Sequence, residues 1–342
     1  MLAGRAFTKP LPFILGTNGI MISFLFTDTL GLSAAPAIGM KVWREAVPWN
    51  FTISGGFQGI ETVAGTFSSA NAAIVANVVA ELKTAGLTPL LVMTVNANPG
   101  LTSTWSSGPP TTPAQFAAAM AWLVAQPGLQ GLHWELFNEP DGSAWGITPA
   151  LLTAAFQAAY PAMKTADPTC TVHASAMENF SLVNGGQGVQ YLNSCFTALP
   201  TWFNFYDIGG LHAYTPDPTF SFNISPDAIG AYGVPYWLGV ANFQKARLAA
   251  GDTKPLWITE VGWPCALTTG NNPQSQAQWL QNCFEKLSGI DTVNGVPFSS
   301  YLKAVCQFSL TNNAGAAWAL YPNDTTPANP GVAVLTEMVA GN

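Results

Sequence analysis

The sequence predicts an α/β fold, a (β/α)8 TIM barrel spanning residues 1–342 as a single domain. Three observations predict it. Eight short β-rich runs alternate with longer helical stretches, the cadence is about 43 residues per strand–helix unit, and no linker divides the chain. An open doubly wound sheet is the competing arrangement, but that fold carries a Gly-rich turn after its first strand. Gly16-Thr17-Asn18-Gly19 lacks the G-x-G-x-x-G spacing, and Gly185-Gly186-Gln187-Gly188 follows no strand.

Taken in order, Pro12–Asn18 is the first strand. It lies in the longest apolar stretch, Leu11 to Phe26, which Gly16, Thr17, Asn18 and Gly19 interrupt and which is short for a membrane span. Flanked by Arg5 and Lys9 and by Ser33-Ala34-Ala35-Pro36-Ala37, the stretch also imitates a secretory signal. The barrel needs it as a strand. The crossover Asp28–Ile38 is weak, because it holds Gly31 and Pro36. Met40–Ala46 is the second strand, followed by the Ala- and Val-rich helix Asn71–Ala85, which Gly86 stops. Thr88–Asn96 leads to helix Ala114–Ala125, opened by Thr112-Pro113 with proline in the first turn. The remaining pairs are Gly131–Phe137 with Pro149–Thr165, Cys170–Ala176 with Val189–Thr197, Asp207–Tyr214 with Ala231–Ala250, Pro255–Val261 with Gln274–Leu287, and Lys303–Leu310 with Val332–Val339.

Charge is scarce. Only 8% of residues are charged, against about 25% in ordinary soluble domains. The net charge of −7 and the absence of basic clusters argue against a nucleic-acid partner. A surface dressed with uncharged polar residues suits neutral ligands and work outside the cell. A carboxylate at a strand end is therefore conspicuous, and barrel chemistry sits at the C-terminal strand ends. Strand four ends in Asn138-Glu139 and strand seven in Glu260, about 120 residues apart, close to three units. Both carboxylates would stand at one mouth. Alone, either could be an ordinary solvated strand-end residue. As a pair across a cleft they are what glycosidic bond cleavage requires, one protonating the leaving oxygen and one attacking or activating water. Mutual repulsion and uneven solvation would drive their two roles apart.

Trp134-Glu135-Leu136-Phe137-Asn138-Glu139-Pro140 resembles the W-E-x-W-N-E-P signature of the retaining glycoside hydrolases of clan A. Trp257-Ile258-Thr259-Glu260-Val261-Gly262-Trp263 resembles their nucleophile strand. Gly39–Arg44 followed by Trp49, Gly86–Met93 and Asp207–Tyr214 resemble their second, third and sixth strands. The resemblance covers nearly the whole chain and is strongest to family 39, including its exopolysaccharide-cleaving branch, with family 5 as neighbour. Phe137 departs from it where Trp is more usual, and strand eight lacks the Trp that often floors the sugar site. The resemblance implies Glu139 as acid/base, Glu260 as nucleophile, and Asn138 on the hydroxyl beside the anomeric carbon. Arg44 on a core strand needs a carboxylate partner, Glu260 or Glu135. His212 and Tyr214 would hold the nucleophile and sugar hydroxyls.

No cofactor or metal is expected. His133 lies six residues before Glu139, roughly 20 Å down a strand, and with His173 reads as a satisfied core residue. Trp263 is the foremost candidate sugar-stacking platform, with Trp49, Trp105 and Trp145 also placed at the mouth, and Glu178 is a third mouth carboxylate. The five cysteines contain no C-x-x-C pair; Cys265 and Cys283 either bridge or stay free. The sequons at Asn50, Asn179, Asn223 and Asn323 matter only in a glycosylating pathway. The expectation is a secreted, monomeric, endo-acting enzyme on a β-linked polysaccharide or oligosaccharide, with no membrane partner. A transglycosylase on the same scaffold and a non-catalytic carbohydrate-binding attachment barrel are the alternatives.

Overall fold

The computed structural model describes residues 11, 13–18, 29–49, 59–63, 65–94, 112–141, 147–178, 187–213, 236–262, 273–289, 300–308 and 330–340. The barrel strands are β1 (Ile14–Asn18), β2 (Val42–Pro48), β3 (Thr88–Thr94), β4 (His133–Leu136), β5 (Thr171–His173, resuming at Met177–Glu178), β6 (Gly209–His212), β7 (Leu256–Val261) and β8 (Leu302–Gln307). Each runs parallel to the next, and β1 pairs with β8. The first half of β5 pairs with β4 and the second with β6, so the broken strand completes the ring.

The helices are α1 (Thr29–Ile38), α2 (Ser69–Thr84), α3 (Pro113–Val124), α4 (Pro149–Ala166), α5 (Gln187–Ala198), α6 (Tyr236–Ala249), α7 (Pro273–Gly289) and α8 (Pro330–Ala340). Local chemistry sets their ends. Ser68, Thr112 and Thr148 each accept a backbone N–H of the first turn, at Asn71, Gln115 and Leu151. Pro113 and Pro149 occupy first-turn positions where no N–H is needed. The weak crossover is a helix after all. Pro36 lies in its last turn, where the chain already leaves the helix through Gly39 N–H on Pro36 O and Met40 N–H on Ala35 O, with Gly39 at φ 90°. Among the described residues no helix is long and apolar enough to cross a membrane.

Two features escaped the periodicity. A short antiparallel hairpin, Glu61–Val63 with Thr66–Phe67, intervenes between β2 and α2. The fifth strand breaks after His173 instead of running to Ala176. At the break Gly210 of β6 packs against the β5 backbone, where a Cβ would stand 2.5 Å from Ala174 O and 3.0 Å from Ala176 N. Only glycine permits that approach.

The barrel interior is built in two layers. The lower is apolar and aromatic: Val42, Leu90, Ala304 and Cys306 pack around Trp257. His133 stacks on that indole at 5.1 Å and His173 meets it edge-on at 4.7 Å. Burial lowers the pKa of both imidazoles, that of His173 well below the ordinary value. They share one hydrogen bond, His133 Nδ1 to His173 Nε2 at 2.9 Å. The upper layer holds the charges. Gly210→Ala is expected to lower folding stability by about 1–3 kcal/mol, as overpacking does, in chemical denaturation.

Candidate active site

Arg44 leaves β2 two residues above Val42 and therefore faces the same interior. A guanidinium offers five N–H donors, and all five are engaged. Nε and Nη2 donate to the two oxygens of Glu135, at 2.8 and 2.9 Å. Nη2 also reaches Asn138 Oδ1 at 2.7 Å. Nη1 donates to Glu260 Oε1 at 2.6 Å and to Asn18 Oδ1 at 3.1 Å. Burial opposes the charge on Arg44, but Glu135 and Glu260 outweigh it and hold its pKa above the ordinary value.

Glu260 reaches this cluster through an irregularity. Trp257 faces the interior, so strict alternation would turn Glu260 outward. Both neighbouring strands show a register shift between Ile258 and the residues that follow, pairing Glu260 with His212 and Val261 with Gln307. This β-bulge resets the phase and re-aims the carboxylate.

Glu139 reaches it through strain. Phe137 and Glu139 sit in the left-handed region at φ 67° and 45°. Such non-glycine conformations cost on the order of 1–3 kcal/mol each and persist only where surroundings hold them. Here the ladder does so, with Phe137 N–H on Met93 O and Glu139 N–H on Ala176 O, each at 3.1 Å. Glu139 Oε1 then meets His212 Nδ1 at 2.6 Å, and Glu139 Oε2 accepts from Asn138 Nδ2 at 3.3 Å.

His212, fully buried at the end of β6, stands between the two carboxylates, with Nε2 3.6 Å from Glu260 Oε1. Burial pulls its pKa down and Arg44 adds to that. Glu260, Glu139 and the hydrogen bond to Glu139 outweigh them, so the pKa is raised above 6.5. Glu139, His212 and Glu260 bring one ligand atom each within 4.8 Å of one another, a span that a divalent cation could fill. A metal would have to displace the proton that His212 Nδ1 shares with Glu139. The arrangement sets one buried imidazole between two carboxyl groups.

The structure therefore brings together Arg44, Asn138, Glu139, His212 and Glu260. Arg44 takes both carboxylates that the sequence offered as alternatives. Trp49 differs from the expectation. Its indole is wholly buried and packs edge-on to Phe116 at 5.5 Å, because Trp49 N–H extends the ladder to Thr94 O and Glu61 N–H covers Trp49 O. It is a core side chain, not a face for a ligand. The backbone of Glu178 pairs with His212. Tyr214, Trp263, Trp105, Trp145 and Cys265 lie outside the described residues, while Cys170, Cys195 and Cys306 are buried thiols. Asn18 was missed: it accepts from Arg44 and donates to Thr259 O at 2.9 Å, joining β1, β2 and β7. Its signal was a polar residue ending an apolar strand.

Two outcomes follow. Arg44→Met takes the cation away from the buried Glu135 and Glu260 and should lose about 3–5 kcal/mol of stability in denaturant titration; Arg44→Lys, with three donors on a flexible stem, should not restore it. His212 has a folded pKa above the unfolded value of about 6.5. Its stabilisation is thus complete below that pH and fades as pH rises through the folded value. In thermal melts across pH, His212→Gln should flatten that alkaline loss.

No protein-family model matches the chain, and no curated protein matches it in sequence. Solved structures do. A family 39 glycoside hydrolase from the gut symbiont Bacteroides cellulosilyticus WH2 matches with a TM-score of 0.63 at 17% identity, over 98% of this chain and 64% of that one, so the chain spans under two-thirds of that protein. A rice β-glucosidase mutant in a covalent complex with Glc matches with a TM-score of 0.66 at 12% identity, over 97% and 98% of the two chains. An endo-β-1,4-glucanase from Xanthomonas axonopodis pv. citri matches with a TM-score of 0.62 at 12% identity, over 96% and 99%. At these identities the likeness is one of fold: the chain folds as a (β/α)8 barrel similar to those of solved glycosidases.

Proposed function

We propose that the protein is a retaining glycoside hydrolase that cleaves β-linked polysaccharides or oligosaccharides, with Glu260 as nucleophile and Glu139 as acid/base. One observation carries the reading: an oxygen of each carboxyl group lies within 4.8 Å of the other's beside the imidazole of His212, close enough to leave little room for a water between them. Retaining enzymes hold their carboxyl groups about 5–5.5 Å apart, whereas inverting ones leave about 6.5–9.5 Å for a water. The rice neighbour held in a covalent complex with Glc supports the same chemistry on this fold.

The surroundings divide the roles. Glu260 Oε1 is held by the Arg44 guanidinium at 2.6 Å, which fixes the orientation of the attacking carboxyl group. Glu139 lies against an imidazole and a neutral amide and is the more exposed, with 16% of its side chain open against 10% for Glu260. In the first step a Glu260 oxygen bonds to the anomeric carbon as its bond to the leaving oxygen breaks, and Glu139 gives that oxygen its proton. In the second, water attacks the same carbon, Glu139 takes the water's proton, and the Glu260 carboxylate leaves. Asn138 would strengthen its contact with the neighbouring hydroxyl as charge develops. A sugar hydroxyl in place of water would give transglycosylation by the same residues. The scarcity of charge on the chain supports neutral sugars as substrate and action outside the cell, and the endo-glucanase neighbour supports internal cleavage.

The test is a screen of β-linked polysaccharides, bacterial exopolysaccharides included, following reducing ends, product length and the first-formed anomer. Glu260→Ala and Glu139→Gln should each lower turnover by at least about a thousandfold, and the first-formed anomer should be β. An α-anomer would refute retention. Glycan binding with no cleavage by the unmodified protein would favour the attachment barrel.

A further inference from the structure

The strained turn that carries Glu139 has a support that the proposed chemistry does not itself use. Phe137 lies in the left-handed region, where a non-glycine residue returns to ordinary backbone angles unless packing prevents it. Its ring is buried and stacks on Phe116 of α3, with centroids 4.5 Å apart and planes at 26°. Phe116 in turn meets Trp49 edge-on at 5.5 Å, and both are wholly buried. Phe116 is itself fixed. It lies in the first turn of α3, where Thr112 caps Gln115 N–H at 3.2 Å and Phe116 N–H bonds Thr112 O at 3.3 Å. The Gln115 side chain reaches the buried Glu61 at 3.2 Å, and the same carboxylate oxygen accepts Gly65 N–H of the hairpin turn. An unbroken chain of packed and hydrogen-bonded groups thus runs from the hairpin through Gln115 and Phe116 to Phe137, and ends one residue short of Asn138 and two short of Glu139.

We propose that Phe116 is a positioning residue for Glu139: its stack on Phe137 holds the left-handed turn that sets the Glu139 carboxyl against His212. The kinetic consequence rests on the glycosidase reading; the structural consequence does not. A smaller side chain at position 116 would free the Phe137 ring, let the turn relax, and draw Glu139 Oε1 away from the 2.6 Å contact with His212 Nδ1. Arg44 and Glu260 are held from β2 and the β7 bulge and would stay in place. The defect should therefore fall on proton donation and spare nucleophilic attack.

The test reads both consequences in Phe116→Leu, with Phe116→Met as a second variant should the first fold poorly. The chain has three histidines, so a spectrum of protein labelled with nitrogen-15 in histidine is simple to assign. The short Nδ1–H bond of His212 should give a strongly deshielded resonance, identified by its loss in His212→Gln. In Phe116→Leu it should move upfield or broaden away, while the His133 and His173 signals hold. On aryl β-glycosides, kcat/KM for poor leaving groups should fall about tenfold to a hundredfold, and for dinitrophenyl glycosides, which need no acid, less than about twofold. Phe156→Leu is the control. It removes a buried ring in α4 that packs on Trp202, so it should lower stability yet leave both readouts unchanged. An unmoved His212 resonance in either variant overturns the proposal whether or not the protein cleaves glycosides. So does an equal fall on both substrate classes. Cleavage of no glycoside by the unmodified protein refutes the glycosidase reading, and the resonance then decides the positioning role alone.

Discussion

One guanidinium organises the upper half of the barrel. Arg44 is buried, and a buried cation is tolerable only when its charge and every donor are answered. Its five N–H groups go to Glu135, Glu260, Asn138 and Asn18, which arrive from β4, β7, the turn after β4, and β1. Four positions on the barrel wall are thereby referred to one planar group. Glu135 is wholly buried and takes two of the donors, so this pair is the frame, while Glu260 and Asn138 are the parts that face the mouth. Interior charge here is a device for placing side chains rather than a source of stability.

Regularity delivers the scaffold, and departures from it deliver the site. The two facing carboxylates stand where they do because β7 carries a bulge and the chain after β4 turns twice through the left-handed region. Each departure is met by something specific nearby: hydrogen-bonded strand ladders on either side, the Phe116 stack behind Phe137, and a glycine where β6 presses on the break in β5. Beneath them Trp257, His133 and His173 pack as flat side chains against one another and give the polar layer an aromatic floor.

What could be read from the residues follows the same division. Alternation of apolar runs located all eight strands to within a few residues, because burial on both faces of a parallel strand writes itself plainly into composition. Glu139, Glu260 and Arg44 stood out because charge is so scarce in this chain. The bulge at Ile258 to Glu260 was not legible: strict alternation would have turned Glu260 outward, and its strand-end place, its spacing from Glu139 and its segment's resemblance pointed to the mouth without the bulge that takes it there. Trp49 was misplaced because a tryptophan just past a strand end looks the same whether the chain opens to solvent or, as here, continues its ladder to Thr94. Asn18 and the His133–His173 pair depend on which strands become neighbours across the barrel, information that no single segment carries.

The fixing of Asn138 has a consequence for any ligand. An amide can usually flip, exchanging its oxygen and nitrogen at little cost. The oxygen of Asn138 accepts from Arg44, and a guanidinium has no lone pair to offer a nitrogen in its place. The amide is consequently polarised in one sense only, oxygen down and nitrogen up toward Glu139. A hydroxyl that meets Asn138 from the mouth must do so as an acceptor, which leaves its own proton to be taken by another group.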